Sequence, residues 1–208
     1  MDLKIKENDF SAILNDVQSI ALLFPEEIQF LYQHAAGLSD LKGDFVDIGA
    51  FKGGSSICMA LGIKQRSGRE KVYTIDNFKE NPMFEGPGLW GLDGTVIKEF
   101  KKNISSFGVD KIVQLICQEC AEAARSWSKP VKMLFYDSSV MYEKVLEDIR
   151  LWSRFIVDNG FMIFHDYSSF PSWGGNLKKA VDDFITESKL FKLIHKFGET
   201  AVVKKLHE

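Results

Sequence analysis

DFVDIGAFKGGSS, residues 44–56, reads as a strand, a glycine turn and the start of a helix. Phe45, Val46 and Ile48 form a short apolar run with one acid, Asp47, inside it. Gly49, Gly53 and Gly54 follow, then Ser55-Ser56 and an apolar helical pattern through Ile57, Met59, Ala60 and Leu61. Glycines let a backbone approach a ligand closely, and a helix start offers free N–H groups. The next apolar run, Val72–Ile75, ends in a second acid, Asp76. An acid at the end of strand two is where a nucleoside ribose is held by its hydroxyls. The pattern predicts an adenosine-type cofactor; the alternative is a tight turn that only packs helix on strand.

Outward from this unit, apolar residues at helical spacing predict helices over Phe10–Leu23 and Pro25–Ala36, before the sheet. The helix after the glycine turn is expected over about Ser55–Leu61, with Gly62 and Ser67-Gly68 marking its exit. Asn77 to Gly94 is a long irregular stretch rich in Gly, Pro and aromatics, including Phe84 and Trp90. Loops of that length in a compact domain are usually functional or mobile. Beyond it the expected elements are a helix Thr95–Phe107, a strand Val113–Ile116, a helix Ala121–Trp127 and a strand Val131–Tyr136 that ends at Asp137. Tyr142–Phe155 reads as a helix, Asn159-Gly160 as a turn, and Phe161–Phe164 as a strand ending at His165-Asp166-Tyr167. A helix, Leu177–Ile185, and a hairpin, Leu190–Phe197 with Thr200–Lys204, close the chain. Strands that alternate with helices argue for an α/β fold whose parallel sheet carries helices on both faces. Ligands there sit at the carboxyl ends of the strands.

The chain has 208 residues and a net charge of −3, with acids and bases interspersed. That length suits one domain with a sizeable core. No basic tract grips phosphates, so a nucleic-acid partner is not expected. No apolar run has membrane length, and the N-terminal MDLKIKENDF carries no signal core. Cys58, Cys117 and Cys120 suit a reducing cytoplasm better than a disulfide framework. Cys117 and Cys120 form a C-x-x-C without a second pair, so a buried or ligand-lining pair is expected rather than zinc.

A dinucleotide fingerprint needs glycine where Phe51 stands. The acid-x-Gly-x-x-x-Gly present instead resembles motif I of the Rossmann-like, S-adenosylmethionine (SAM)-dependent methyltransferases. PEEIQFLYQHA, GDFVDIGAFKGGSS, VYTIDNF and the run FYDSSVMYEKVLEDIRLWSRFIVDNGFMIFHDY are similar to the small bacterial methyltransferases related to macrocin O-methyltransferase and cephalosporin hydroxylase-like proteins. The similarity runs from about Pro25 to Val181. It implies one domain over residues 1–208: a helical segment over 1–40, then a Rossmann-like core over 41–208 with seven mostly parallel strands and a C-terminal antiparallel hairpin. It also implies SAM lined by Asp47, Gly49, Phe51, Gly53, Ser55, Asp76, Asn77, Glu119, Cys120 and Asp137. Family members use a divalent metal, in several cases magnesium, to hold a substrate hydroxyl. The matched positions are Asp137, Tyr142, His165 and Asp166. The departure is Val140, where the family often carries histidine, with Ser138 and Ser139 replacing the usual neighbours.

Methyl transfer from a sulfonium is an in-line displacement, so positioning is a large part of catalysis. A hydroxyl acceptor is a poor nucleophile until a cation lowers its pKa. Asp137 and Asp166, at the ends of neighbouring strands, can converge on one hard cation. Otherwise one caps a helix and the other bonds backbone. His165 is the candidate general base or third metal ligand, or else a hydrogen-bonded structural residue. Tyr167 either lines an acceptor pocket or is an exposed loop residue, and Trp90, Phe84 and Trp173 are candidates to close over the site. The resulting expectation is a cytoplasmic O-methyltransferase acting on a small hydroxylated metabolite, a sugar or natural product. Val140 keeps open a SAM-binding protein with altered catalysis, and a nicotinamide-dependent oxidoreductase is the weaker third reading. The apolar face of the N-terminal helices is consistent with a homodimer.

Overall fold

The computed structural model describes residues 14–79, 94–168 and 176–207. The aromatics Phe84, Trp90 and Trp173, and most of the two loops that carry them, lie outside these residues. Seven strands form one sheet: β1 Asp44–Ile48, β2 Val72–Ile75, β3 Val113–Ile116, β4 Val131–Tyr136, β5 Ile156–Phe164, β6 Phe191–Phe197 and β7 Thr200–Lys205. Their order across the sheet is β3-β2-β1-β4-β5-β7-β6. The first five pair in parallel, and β7 runs antiparallel between β5 and β6. The helices are α1 Pro25–Gly37, α2 Gly54–Gln65, α3 Thr95–Ser106, α4 Cys120–Ser126, α5 Tyr142–Trp152 and α6 Leu177–Ser188. Residues 14–18 are also helical. The expected doubly wound sheet with its terminal hairpin is therefore present. Two apolar layers flank it, one built on α4, α5 and α6, the other on α1, α2 and α3. Among the described residues no helix is long and apolar enough to cross a membrane.

Pro25 opens α1 with its fixed φ, and the Glu27 carboxylate accepts the Phe24 N–H at 2.9 Å. Ile28, Leu31, Tyr32 and Ala35 then bury one face against α2. Gly62 does not end α2, as its type suggested; the helix continues to Gln65. Its role is close approach: a Cβ there would lie 2.3 Å from the Tyr32 carbonyl oxygen.

Asn159-Gly160 is likewise no turn between elements. Both residues lie inside β5, in a bulge between the pairs Val131↔Ile156 and Met133↔Phe161. Asn159 takes φ 64, and a Cβ on Gly160 would sit 2.8 Å from the Val157 carbonyl oxygen. Turn chemistry here makes a strand bend, which is why residue type alone misplaced it. Every residue of β4 is buried, Lys132 included; its ammonium reaches Glu70 at 2.8 Å and the Leu38 carbonyl at 2.9 Å.

Candidate active site at the strand ends

Backbone hydrogen bonds draw the carboxyl ends of β1, β4 and β5 together. Asp137 N–H donates to the Ile48 carbonyl at 2.8 Å, and His165 N–H to the Tyr136 carbonyl at 3.0 Å. Gly49 leaves β1 with φ 87, a conformation few side chains tolerate. Gly53, at φ 93, leads directly into α2. The loop between them is tied to the second strand. Phe51, itself at φ 49, donates its N–H to Asp76 Oδ2 at 3.0 Å, and Phe78 N–H reaches Asp76 Oδ1 at 2.7 Å. Burial raises the Asp76 pKa despite these N–H donors, and the charge of Asp137 adds to the rise. The carboxylate as a whole retains acceptor capacity for a hydroxyl donor.

Asp47 lies beneath this loop and is fully buried. Ser55 Oγ donates to its Oδ2 at 2.7 Å, Ser56 Oγ donates to the same atom, and Oδ1 has no partner among the described residues. Burial pushes Asp47 up to about 7, opposed by the two serines and reinforced by the charges of Asp137 and Asp76. Asp47 and Ser55 therefore bind strand to helix from below the glycine loop.

Beyond β2, Asn77 donates its side-chain N–H to Glu119 Oε1, joining the ends of β2 and β3. Glu119 is the residue before α4 and keeps a partly exposed side chain. Cys120 departs from expectation. Helix α4 turns it inward, where its sulfur accepts the Trp152 indole N–H at 3.1 Å, and burial raises its pKa well above the ordinary thiol value. As the first residue of α4 it points to the core instead of the cofactor side. Cys117 is exposed while Cys120 is buried.

One group of metal-competent side chains assembles among the described residues: Asp137, His165 and Asp166, with ligand atoms all within 4.8 Å of one another. Consecutive strand residues point to opposite faces. Asp166 escapes that rule by adopting φ 56, which brings its Oδ1 to 3.4 Å from His165 Nδ1. Asp137 Oδ1 lies 3.3 Å from the same nitrogen. On the other edge of the ring, His165 Nε2 is 3.3 Å from Glu27 Oε2. Glu27 is buried on α1 and also takes the Thr200 hydroxyl on Oε1. Burial by itself lowers the His165 pKa, but Asp137, Asp166 and Glu27 outweigh it and raise the imidazole well above its usual range. Glu27 in turn is held below the usual carboxylate value by His165, Thr200 and the Phe24 N–H, against the effect of burial.

These residues fit a divalent cation. Both ring nitrogens of His165 are buried and make no well-aligned hydrogen bond among the described residues, and Nδ1 faces two carboxylate oxygens. Ligands at bonds of about 2.1 Å span about 4 Å across an octahedral ion, close to the spacing seen. Sequence reasoning missed Glu27. Its place two residues after Pro25 signals a helix cap, and nothing local signals a histidine so distant in sequence.

Tyr167 is neither a pocket wall nor an exposed loop residue: it is buried, with its hydroxyl on Asp182 Oδ1 at 2.5 Å. Tyr142 bonds Asp183 Oδ2 at 2.8 Å and lies under Lys179. Both tyrosines therefore anchor α6. Val140 accepts the Asn176 N–H on its carbonyl at 2.8 Å and packs its side chain against the core.

Residues 46–167, more than half of the chain, match the family model described as "Methyltransferase domain". The fold is similar to that of the O-methyltransferase NovP, with 17% identity and a TM-score of 0.75 over 90% of this chain and 83% of that one. It is similar to CalS11, a TDP-rhamnose 3'-O-methyltransferase, at 14% identity and a TM-score of 0.61 over 98% and 88% of the two chains. The Podospora anserina methyltransferase PaMTH1, solved with S-adenosylhomocysteine (SAH), matches at 10% identity and a TM-score of 0.59 over 100% and 99%.

Proposed function

The chain belongs to the methyltransferase domain family and is a SAM-dependent methyltransferase, and on that premise we propose that it methylates a hydroxyl oxygen of a small metabolite with help from a divalent cation. The observation that carries this reading is the convergence of Asp137, His165 and Asp166 beside the glycine loop that Asp76 holds. A sugar or other hydroxylated natural product is the class of acceptor. In support, the similarly folded NovP is an O-methyltransferase and CalS11 acts on TDP-rhamnose.

Asp76 is the ribose acceptor in this reading, with the Gly49–Gly53 loop leaving room for the methionine part. SAM supplies an electrophilic methyl group. Asp137, Asp166 and His165 would hold the cation, which lowers the pKa of a bound hydroxyl and orients it. The residues themselves set the line of displacement, so positioning does much of the catalysis. With Nδ1 turned to the cation and Nε2 to Glu27, His165 has no free lone pair to act as general base. Asp137 and Asp166 stay partly exposed at the strand ends, open to the side where an acceptor would enter.

A second reading, cofactor binding with altered catalysis, rests on Val140, whose side chain can neither bind metal nor relay a proton. Calorimetric titration with SAH, with and without Mg²⁺, tests the proposal on the wild type and Asp76→Ala. Micromolar binding lost in the variant supports the cofactor site, and methyl transfer to hydroxylated acceptors separates the two readings. No SAH binding under any condition overturns both.

A further inference from the structure

Building on the cation site just proposed, we infer that Glu27 is a positioning residue that holds the Nε2 edge of His165 and so presents Nδ1, with Asp137 and Asp166, as the nitrogen donor of a mixed nitrogen–oxygen cation site. Three observations carry the inference. Glu27 is buried, so a carboxylate there needs partners on both oxygens. Its two oxygens take the Phe24 N–H at the start of α1 and the Thr200 hydroxyl at the start of β7, and Oε2 lies 3.3 Å from Nε2 of His165 after β5. Finally, the imidazole faces Glu27 with one nitrogen and the two aspartates with the other.

A histidine that binds a metal usually donates its second ring N–H to a carboxylate or carbonyl, which fixes both the ring and the tautomer. Glu27 is placed to receive that N–H. The proton then sits on Nε2, and the lone pair of Nδ1 is turned to the side where Asp137 and Asp166 stand. Binding at Nδ1 displaces any proton there to solvent, so charge balances. One imidazole with two carboxylates also narrows the class of cation. Imidazole suits first-row transition ions better than Mg²⁺, which prefers an all-oxygen shell. The site is therefore expected to favour a first-row transition ion over Mg²⁺, and Mn²⁺ serves as its paramagnetic probe. Glu27 makes the N-terminal helix part of the site without touching the reacting atoms. A role confined to docking α1 would leave the electronic environment of a bound ion unchanged, and this difference is measurable.

The experiment is Mn²⁺ titration with pulsed electron paramagnetic resonance on wild type, Glu27→Leu and Glu27→Gln, with SAH binding as the check on the fold. Wild type is expected to show modulation from one imidazole nitrogen. Glu27→Leu is expected to lose that modulation and bind Mn²⁺ about ten- to a hundredfold more weakly, the usual cost of losing such a partner. Glu27→Gln, whose amide oxygen still accepts the Nε2 proton, is expected to keep it. If Glu27→Leu does not fold, Glu27→Asp replaces it, because the shorter side chain withdraws from Nε2. Full nitrogen modulation at wild-type affinity in Glu27→Leu, or in Glu27→Asp where that replaces it, overturns the inference. Mn²⁺ bound to wild type without nitrogen modulation overturns it while leaving the cation site standing. SAH binding with no Mn²⁺ binding at all overturns both the inference and the cation site, and leaves the cofactor reading intact.

Discussion

A Cβ on Gly49 would lie 1.8 Å from the Asp137 carbonyl oxygen. The turn that leaves β1 and the acid that ends β4 thus occupy one space, and each sets the position of the other. In the proposed reading the first serves the cofactor and the second the acceptor, so their separation is fixed by backbone packing.

Gly49→Ala is expected to disturb both halves of the site. The new methyl group meets backbone instead of a flexible side chain, and the position carries φ 87. Together these cost about 3 kcal/mol or more. Chemical denaturation should show a lower midpoint, and the folded fraction should bind SAH more weakly. An unchanged midpoint with wild-type SAH affinity would mean that the two strand ends are not in register as described.

Asp76→Ala removes the acceptor of the Phe51 and Phe78 N–H groups together with the proposed ribose contact. Charge-assisted hydrogen bonds contribute about 1.5–3 kcal/mol each. Loss of one or two predicts SAH affinity about a hundredfold weaker by calorimetry. Affinity within twofold of wild type would remove Asp76 from the cofactor site.

The limits of sequence legibility follow range of interaction. Strands Val72–Ile75, Val113–Ile116 and Val131–Tyr136 stand as read, because a short apolar run bounded by polar residues is a local signal. The glycine turn after Ile48 was legible for the same reason. Gly62 and Asn159-Gly160 were misread because the same residue types serve both to end elements and to admit close packing, and only the tertiary partner decides. Cys120 was misplaced by helical phase within one turn. Asp137, His165 and Asp166 could be named from the strand ends they follow. Glu27 could not, since its contact with His165 exists only once α1 has packed beside β5 and β7.

Asp166→Asn isolates the cation. Asparagine tolerates the left-handed conformation that Asp166 adopts, so the fold should persist. It lacks the charge that a divalent ion needs from its ligands. Mn²⁺ affinity should fall at least about tenfold, while SAH affinity stays near wild type because Asp76 and the glycine loop are untouched. Methyl transfer should fall with metal occupancy and recover in part at high Mn²⁺. Equal Mn²⁺ affinity in the two proteins would take Asp166 out of the cation site.

Asp47→Asn tests the buried acid through pH. Burial raises the folded-state pKa of Asp47 to about 7, above the ordinary aspartate value of 3.8. A raised carboxylate pKa means the native state holds the proton more tightly than the unfolded chain. Its contribution to stability is therefore complete below pH 4 and is lost as pH rises toward 7. Between those limits the slope approaches about 1.4 kcal/mol per pH unit. Asparagine keeps an oxygen for the Ser55 and Ser56 hydroxyls but carries no ionisable proton. Urea denaturation at several pH values should show wild type losing stability relative to Asp47→Asn from pH 4 to 7, with a constant difference above about pH 8. Parallel curves across the whole range would show that Asp47 ionises in the native protein as it does in the unfolded chain, and that its burial is relieved by solvent or by a neighbouring charge.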